Sequence, residues 1–242
     1  MPRNPQNSRL TPTRAIWPRP PCSGKTTEET KEKWYAKAKD YWTKQSADVD
    51  GMLGGYGHVS DGDQDSSIEY IQGLDLDKKG VALDVGAGIG RVSKHVLLKT
   101  FAKCDMLEAN QEFADKARPY VDDDNLENVF VTGMEEFTPE AKRYALIWIQ
   151  WCIIYLTDDD LVAFLQRCAD GLAPGGRVCI KDNVCPPSMG FEVDNTDNSV
   201  TRSDAHYKKL FVRAGLNLVR DEVQKDLPKE LFQVRCTLHT PF

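Results

Sequence analysis

The sequence contains no hydrophobic run long enough to cross a membrane. Its longest apolar stretch, Ala145–Leu156, has twelve residues and is interrupted by Gln150, whereas a transmembrane helix needs about 20. No apolar segment of the kind found in secretory signals occurs near the N-terminus. With 40% hydrophobic and 28% charged residues, the 242-residue chain is predicted to be a soluble globular protein built on one domain.

Metal and disulfide signatures are also missing. There is no Cys-x-x-Cys pair, and the four histidines form neither of the zinc-binding patterns H-E-x-x-H and H-x-x-E-H. Seven cysteines, an odd number, are scattered along the chain at positions 22, 104, 152, 168, 179, 185 and 236. We therefore expect no bound metal and no disulfide framework, and most cysteines should be buried thiols in a reducing compartment.

Charge is distributed unevenly. Residues 1–25 carry five basic side chains, no acidic one and six prolines, and the total of −6 therefore leaves −11 for the remainder. This segment is predicted to be a disordered basic, proline-rich tail preceding a domain at 26–242. An acidic body argues against binding to nucleic acid and is compatible with a basic partner.

Residues 26–75 are predicted to form a helical cap. The pattern becomes helical at Thr26, and apolar residues recur on one helix face at Trp34, Ala38, Tyr41 and Trp42. The segment 50–57 contains four glycines, which favours a loop over a helix. A second short helix is predicted at about 66–74.

The remainder of the chain alternates between strands and helices. Strands are predicted at 81–85, 103–108, 128–132, 144–150, 177–182, 216–223 and 231–238. Helices are predicted at about 90–101, 111–121, 158–171 and 202–214. The Pro174-Gly175-Gly176 turn should close the third of these helices. Near-continuous apolar strands separated by helices indicate an α/β fold, a doubly wound seven-strand sheet covered on both faces.

A glycine loop follows the first strand. The run from Asp84 to Gly90 reads D-x-G-x-G-x-G, and glycines there let a ligand approach the backbone at a helix N-terminus. The dinucleotide fingerprint G-x-G-x-x-G fails from Gly86 and is only nearly matched from Gly88. The run resembles the first motif of Rossmann-like class I methyltransferases, which bind S-adenosylmethionine. Glu108, at the end of the second strand, can accept both ribose hydroxyls of a nucleoside, although dinucleotide enzymes use an acid at the same place.

Three further segments are more specific. They are Tyr41-Trp42 together with the 50–57 segment, Ile147-Trp148-Ile149-Gln150-Trp151, and Lys181-Asp182-Asn183 followed by residues 194–202. Together they closely resemble the protein N-terminal methyltransferases, which use S-adenosylmethionine to methylate the α-amine of chains that begin Xaa-Pro-Lys. The resemblance covers about residues 30–240.

The resemblance implies a role for each matching position. The cofactor contacts fall on Trp42, Gly86, Gly88, Arg91, Glu108, Met134, Glu135 and Gln150. The peptide contacts fall on Tyr41, Leu53, Gly54, Trp151, Asp194, Ser199 and Phe232. Asp197 is implied as the base that takes the amine proton, and Asn183 as a group that binds the backbone of the first peptide residues. Trp151 would pack on the substrate proline, while Asp194 and Ser199 would face the lysine. The peptide would enter a negative channel between the 50–57 segment and an insertion at 184–200.

Two positions depart from the family pattern. Tyr155 stands where the family has a histidine near the amine, and a phenol with a pKa of about 10 is a poorer base at neutral pH. Phe232 stands where an aromatic residue with a hydroxyl is common. The family also implies ribosomal and chromatin-associated substrates, and hence a location in the cytoplasm and possibly the nucleus.

Two other functions are compatible with the sequence. A small-molecule methyltransferase would share every feature through Gln150 but would not need two acids for a substrate lysine. A catalytically silent module that binds the cofactor or a peptide is favoured by Tyr155 alone.

Overall fold

The computed structural model describes residues 28–242. The predicted disordered tail at 1–25 lies outside the described residues. Within them, seven strands form one sheet in the order β3-β2-β1-β4-β5-β9-β8. Its strands are β1 (Val81–Val85), β2 (Lys103–Glu108), β3 (Leu126–Val131), β4 (Tyr144–Gln150), β5 (Leu172–Val184), β8 (Leu216–Val223) and β9 (Gln233–Pro241). The strands from β3 to β5 are all parallel, whereas β9 is antiparallel to both neighbours.

Helices cover both faces of the sheet, so the predicted doubly wound α/β fold is confirmed. They are α1 (Glu28–Trp42), α2 (Val49–Met52), α3 (Ser60–Gln72), α4 (Leu98–Thr100), α5 (Gln111–Val121), α6 (Asp158–Gly171) and α7 (Asp204–Arg213). A π-helical segment (Ser93–Leu97) precedes α4, and 3₁₀ turns occupy Gly57–Val59 and Ile153–Tyr155. In the described part of the chain, no helix combines the length and apolarity that a membrane crossing requires.

Alternating side chains of the central strands supply two cores. On one face, Leu83 and Ile147 belong to a cluster with Phe164 of α6. On the other, Ala82 and Trp148 belong to a cluster that includes helical residues from α3, α5 and the π-helical segment. Because the parallel strands are buried on both sides, nearly every residue of β1 and β4 is apolar.

The N-terminal cap differs from its prediction in two places. Helix α3 begins at Ser60 rather than Ser66, and acidic residues in its first turn, Asp61 and Asp63, favour that start. The 50–57 segment is not entirely a loop, because Gly51 lies inside α2, where the side chain of Asp48 accepts its N–H.

The Pro174-Gly175-Gly176 run lies within a strand instead of preceding one. Leu172 already pairs with Tyr144, and the next pair joins Arg177 to Leu146. The residues in between form a bulge, in which Gly175 adopts a φ of +80°. Strand β5 therefore starts five residues earlier than its apolar run suggested.

The segment 184–200, predicted only as an insertion, contains ordered structure. Strands β6 (Phe191–Asp194) and β7 (Ser199–Arg202) pair as an antiparallel hairpin separate from the main sheet. Arg202 is fully buried and donates to Asp158 at 2.7 Å and to the carbonyl of Leu156 at 2.7 Å. His206 also contacts Asp158, at 2.8 Å. These bonds fasten the hairpin to the start of α6.

The described residues include every cysteine except Cys22. These six cysteines are buried thiols that form no disulfide. Among residues 28–242 there is also no grouping of three or more His, Cys, Asp or Glu side chains that could hold a metal ion.

Candidate active site

A cavity of about 550 Å³ opens at the carboxyl ends of β1, β2 and β4. This volume lies within the range of small-molecule sites, and this edge of a parallel sheet is where such folds bind ligands. All the residues predicted to contact the cofactor line it: Trp42, Gly86, Gly88, Arg91, Glu108, Met134, Glu135 and Gln150. The structure thus brings together residues that are far apart in sequence.

The glycine loop forms the floor of the cavity. Gly86 and Gly88 have φ angles of +66° and +57°, a region that residues with a Cβ rarely occupy. A Cβ on Gly86 would lie 2.7 Å from the Cβ of Cys152, and one on Gly88 would lie 2.6 Å from the sulfur of Met52. Glycine is therefore required for the loop to pass between these side chains.

Glu108 lies beside the loop at the end of β2. Its carboxylate accepts the N–H of Gly88 at 2.8 Å and the N–H of Asn110 at 2.7 Å. Burial raises the pKa of Glu108, while these backbone donors act in the opposite direction. A carboxylate has about four acceptor sites, so it can bind ribose hydroxyls without releasing the loop. The residues present therefore fit a nucleoside.

Asp84, at the end of β1, also lines the cavity. The sequence predicts no role for it beyond its place in the glycine motif. Burial raises its pKa to about 7, although the Ser93 hydroxyl, which donates at 2.7 Å, and the charge of Arg91 favour the ionised form. At neutral pH this carboxyl group is therefore close to its titration midpoint.

A buried ionic cluster lies behind Arg91 and Gln150. Asp63 of α3 binds Arg91 Nη2 at 2.8 Å, Lys181 Nζ at 2.6 Å and Gln150 Nε2 at 2.9 Å. Burial opposes ionisation of Asp63, but the charges of Lys181 and Arg91 outweigh it and hold the pKa of Asp63 below its usual range. Sequence reasoning missed Asp63 because Asp61-Gly62-Asp63 resembles a solvated turn.

The loop after β3 supplies the remaining wall. Met134 and Glu135 line the cavity, and the guanidinium of Arg167 holds their carbonyls at 2.8 and 3.1 Å. Burial raises the pKa of Glu135. Helix α1 lies over the opening, where the Trp42 ring makes edge-to-face contacts with Phe113 at 6.3 Å and Tyr155 at 6.2 Å.

Next to Trp42, a small polar cluster joins the cavity to the β6–β7 hairpin. Tyr155, which lines the cavity, donates its hydroxyl to Asp197 Oδ2 at 3.0 Å. Ser199 donates to Asp197 Oδ1 at 2.6 Å. Asp197 and Ser199 are buried. Three residues predicted from the resemblance, far apart in sequence, thus form one hydrogen-bonded unit.

The other predicted peptide residues lie around this unit but are less closely gathered. Leu53 and Trp151 line the cavity and share an apolar cluster with Val59 and Val234. The remaining five residues lie outside the cavity lining: Tyr41, Gly54, Asn183, Asp194 and Phe232.

Of these five, Asn183 is fully buried at the end of β5, and Phe232 is buried just before β9. Tyr41 packs edge-on against Trp42 with ring centroids 5.6 Å apart. Gly54 is exposed, and Asp194 ends β6, where its carboxylate accepts the N–H of Thr196.

Trp151 has an unusual backbone. Its φ is +54°, in the left-handed region, and its N–H still donates to the carbonyl of Lys181 at 3.0 Å. The guanidinium of Arg91 lies 5.7 Å from the centre of its ring. Residues held in such conformations cluster at functional sites.

Residues 30–238 match a protein family described as AdoMet dependent proline di-methyltransferase. The chain is 43% identical over 215 residues to N-terminal Xaa-Pro-Lys N-methyltransferase 1 of Danio rerio, covering 86% of this chain and 96% of that protein. It is 41% identical over 235 residues to alpha N-terminal protein methyltransferase 1 of Arabidopsis thaliana, covering 90% of this chain and 84% of that protein.

Solved structures agree with these matches. A SAM-dependent methyltransferase from Leishmania major superposes with a TM-score of 0.82 at 38% identity, covering 86% of this chain and 83% of that one. A phosphoethanolamine N-methyltransferase from Haemonchus contortus, solved with S-adenosylhomocysteine, has a TM-score of 0.67 at 18% identity, covering 90% of this chain and 50% of that one. At that identity the likeness is one of fold.

Proposed function

Because this chain belongs to the family of AdoMet-dependent N-terminal methyltransferases, we propose that it methylates the α-amine of proteins that begin Xaa-Pro-Lys. S-adenosylmethionine is its methyl donor, and the cavity at the strand ends is where we place it. The peptide would bind on the peptide side of the site, defined as residues 50–57 together with the β6–β7 hairpin.

The observation that carries the proposal is the Tyr155–Asp197–Ser199 unit at the cavity wall. S-adenosylmethionine, when bound, supplies a methyl group on a positively charged sulfur, which a neutral amine can attack. A free α-amine has a pKa of about 7.7–8.0, so it arrives largely protonated at neutral pH. A carboxylate next to the cavity can bind this ammonium and take up its proton.

Asp197 suits that role because its position is fixed by two donors. The hydroxyls of Tyr155 and Ser199 each bind a different carboxylate oxygen. A carboxylate has about four acceptor sites, so it can accept from an ammonium as well as from hydroxyls. The carboxylate favours the charged amine until the proton moves to it, so the orientation of Asp197 decides when the amine becomes reactive.

Tyr155 contributes as an orienting group. Its hydroxyl donates to Asp197, and a phenol oxygen can also accept a hydrogen bond, here one from the amine N–H. In this arrangement the phenol need not ionise, so a tyrosine at the position of the family histidine is compatible with transfer.

Apolar and acidic surfaces account for the Pro and Lys of the substrate. Trp151 and Leu53 present an apolar wall suited to a proline ring. Asp194 and Ser199, paired across the hairpin, would bind the lysine ammonium. Asn183 would hydrogen-bond the peptide backbone, with Tyr41, Gly54 and Phe232 completing the wall. Ribosomal substrates and a cytoplasmic or nuclear location remain predictions.

A mass measurement tests the proposal. Purified protein is incubated with S-adenosylmethionine and a peptide beginning Ala-Pro-Lys, and an N-acetylated copy serves as the control. We expect gains of about 14 mass units per methyl on the free peptide only, because acetylation removes the reacting amine. Methylation of both peptides, or of neither while cofactor binding is confirmed by calorimetry, would contradict α-amine transfer.

A further inference from the structure

Lys181 is fully enclosed yet lies outside the cavity lining. Its ammonium binds Asp63 Oδ1 at 2.6 Å and the hydroxyl of Ser67 at 2.7 Å. Asp63 also lies outside the lining, whereas Arg91 and Gln150 are part of it. The cluster therefore has an inner layer of two charges and an outer layer that faces the ligand.

The cluster contains one carboxylate and two cations. Asp63 uses Oδ1 for Lys181 and Oδ2 for Arg91, so neither cation receives the two-oxygen pairing that neutralises a guanidinium most completely. One positive charge is left over in a buried place, where unpaired charge is unfavourable. An anion entering the cavity beside Arg91 would compensate it.

The other acids near Arg91 are committed elsewhere. Asp84 is held by the Ser93 hydroxyl and is only partly ionised at neutral pH, since burial raises its pKa to about 7. Glu108 is held by two backbone N–H groups. Neither has an ion pair with Arg91 in the described structure.

We infer that Lys181 is a positioning residue for cofactor binding: by drawing one oxygen of Asp63 to itself, it keeps Arg91 available for the cofactor carboxylate. The inference rests on the proposed function, and it further places the methionyl end of the cofactor at Arg91 and Gln150, which both line the cavity. Without Lys181, Asp63 can turn both oxygens to Arg91, and the cluster becomes neutral.

Calorimetry with two ligands tests this role. S-adenosylhomocysteine carries the carboxylate, and its decarboxylated form keeps the ammonium but lacks the carboxylate. In Lys181→Met we expect the Kd of S-adenosylhomocysteine to rise about tenfold or more, since loss of a nearby buried charge weakens anion binding. The Kd of the decarboxylated ligand should change less than about threefold.

A second variant distinguishes the effect of the lost charge from the effect of a disturbed fold. Asp63→Asn/Lys181→Met leaves Arg91 as the single charge of the cluster, so its net charge returns to that of the wild type. We expect it to recover the affinity for S-adenosylhomocysteine that Lys181→Met loses. A substitution that merely loosened the fold would raise the Kd of both ligands equally, and the Kd would rise further in the double variant. That result would overturn the inference.

Two further variants serve as references. Arg143→Met breaks a comparable ion pair with Asp105, 2.8 Å long, just before β4 starts and so at the end opposite Gln150; it should leave both affinities unchanged. Arg91→Met should abolish discrimination between the two ligands. If Arg91→Met weakens binding of both ligands equally, the methionyl end lies elsewhere and the placement fails. If it weakens only S-adenosylhomocysteine, as expected, while Lys181→Met does not, only the inference fails.

Discussion

The cofactor side and the peptide side of the site are held together in different ways. On the cofactor side, Gly86, Glu108 and Gln150 occupy the ends of neighbouring parallel strands or the residues just after them, so the sheet itself sets their spacing. On the peptide side, the hairpin is separate from the sheet and depends on individual side chains, chiefly Arg202 and Asp197. Single substitutions should therefore remove peptide chemistry while leaving cofactor binding intact.

The largest expected separation of the two sides comes from Asp197→Asn. An amide cannot take the amine proton, so kcat should fall by about 10²–10⁴, the usual contribution of a positioned base. Calorimetry with S-adenosylhomocysteine should show an unchanged Kd. A parallel loss of cofactor affinity would mean that the two sides are not independent.

The next effect concerns stability. Arg202→Met leaves Asp158 with only His206 in a buried place and should lower the free energy of unfolding by about 3–5 kcal/mol, measured in urea. Arg213→Met is the matched control, because the Arg213–Asp159 pair is exposed and should contribute less than about 1 kcal/mol. Equal losses in the two variants would show that the hairpin does not depend on Arg202.

The two sides should also differ in pH dependence. The raised pKa of Asp84, about 7, means that its contribution to stability is present in acid and is lost as pH rises from about 4 to 7. Asp84→Asn should therefore gain about 2 kcal/mol relative to wild type between pH 5 and pH 8 in urea unfolding.

Asp158, which binds Arg202 of the peptide-side hairpin, provides the reference for that measurement. Burial opposes its ionisation, but His206 and Arg202 hold the pKa of Asp158 below its usual range. Its contribution is present above about pH 4 and is lost only below that, since it follows the depressed pKa. Because Asp158 contacts a titratable imidazole, the comparison is made in a His206→Gln background. There Asp158→Asn should show no such slope between pH 5 and pH 8, and a slope equal to that of Asp84→Asn would contradict the assignment.

The smallest effect is expected for Tyr155→Phe. The ring keeps its contact with Trp42, but Asp197 loses one of its two hydroxyl donors. A hydrogen bond to a charged group is worth enough to lower kcat about tenfold, with the cofactor Kd unchanged. Initial rates on the Ala-Pro-Lys peptide check this, and an unaltered kcat would show that the phenol hydroxyl plays no part.

The same contrast explains which parts of the structure could be predicted. β1 and β4 have the predicted bounds because apolar runs in buried parallel strands end sharply at polar or glycine residues. The start of β5 could not be predicted, since Pro174-Gly175-Gly176 has the composition of a turn. It becomes a bulge only because the residues on either side of it pair with β4. The hairpin strands have four residues each, too short for periodicity to reveal.

The buried charges were the other feature that could not be predicted from the sequence. Asp63 and Lys181 belong to residue types that are nearly always exposed, and their partners lie 28 to 118 positions away in the chain. The predicted cofactor positions come from motifs that are local in the sequence and resemble a known family, whereas the residues behind them can be found only once the fold has assembled.

The left-handed backbone at Trp151 has a consequence for how two ligands can meet. Consecutive side chains of an extended strand point to opposite faces of a sheet, yet Gln150 and Trp151 line the same cavity. The reversal of chain handedness after Gln150 accounts for this, and the N–H of Trp151 keeps its bond to β5. One strand end thereby becomes a common wall: in the proposed arrangement its last residue would face the donor and the next residue the acceptor, so that methyl transfer would take place across a single peptide unit of the scaffold.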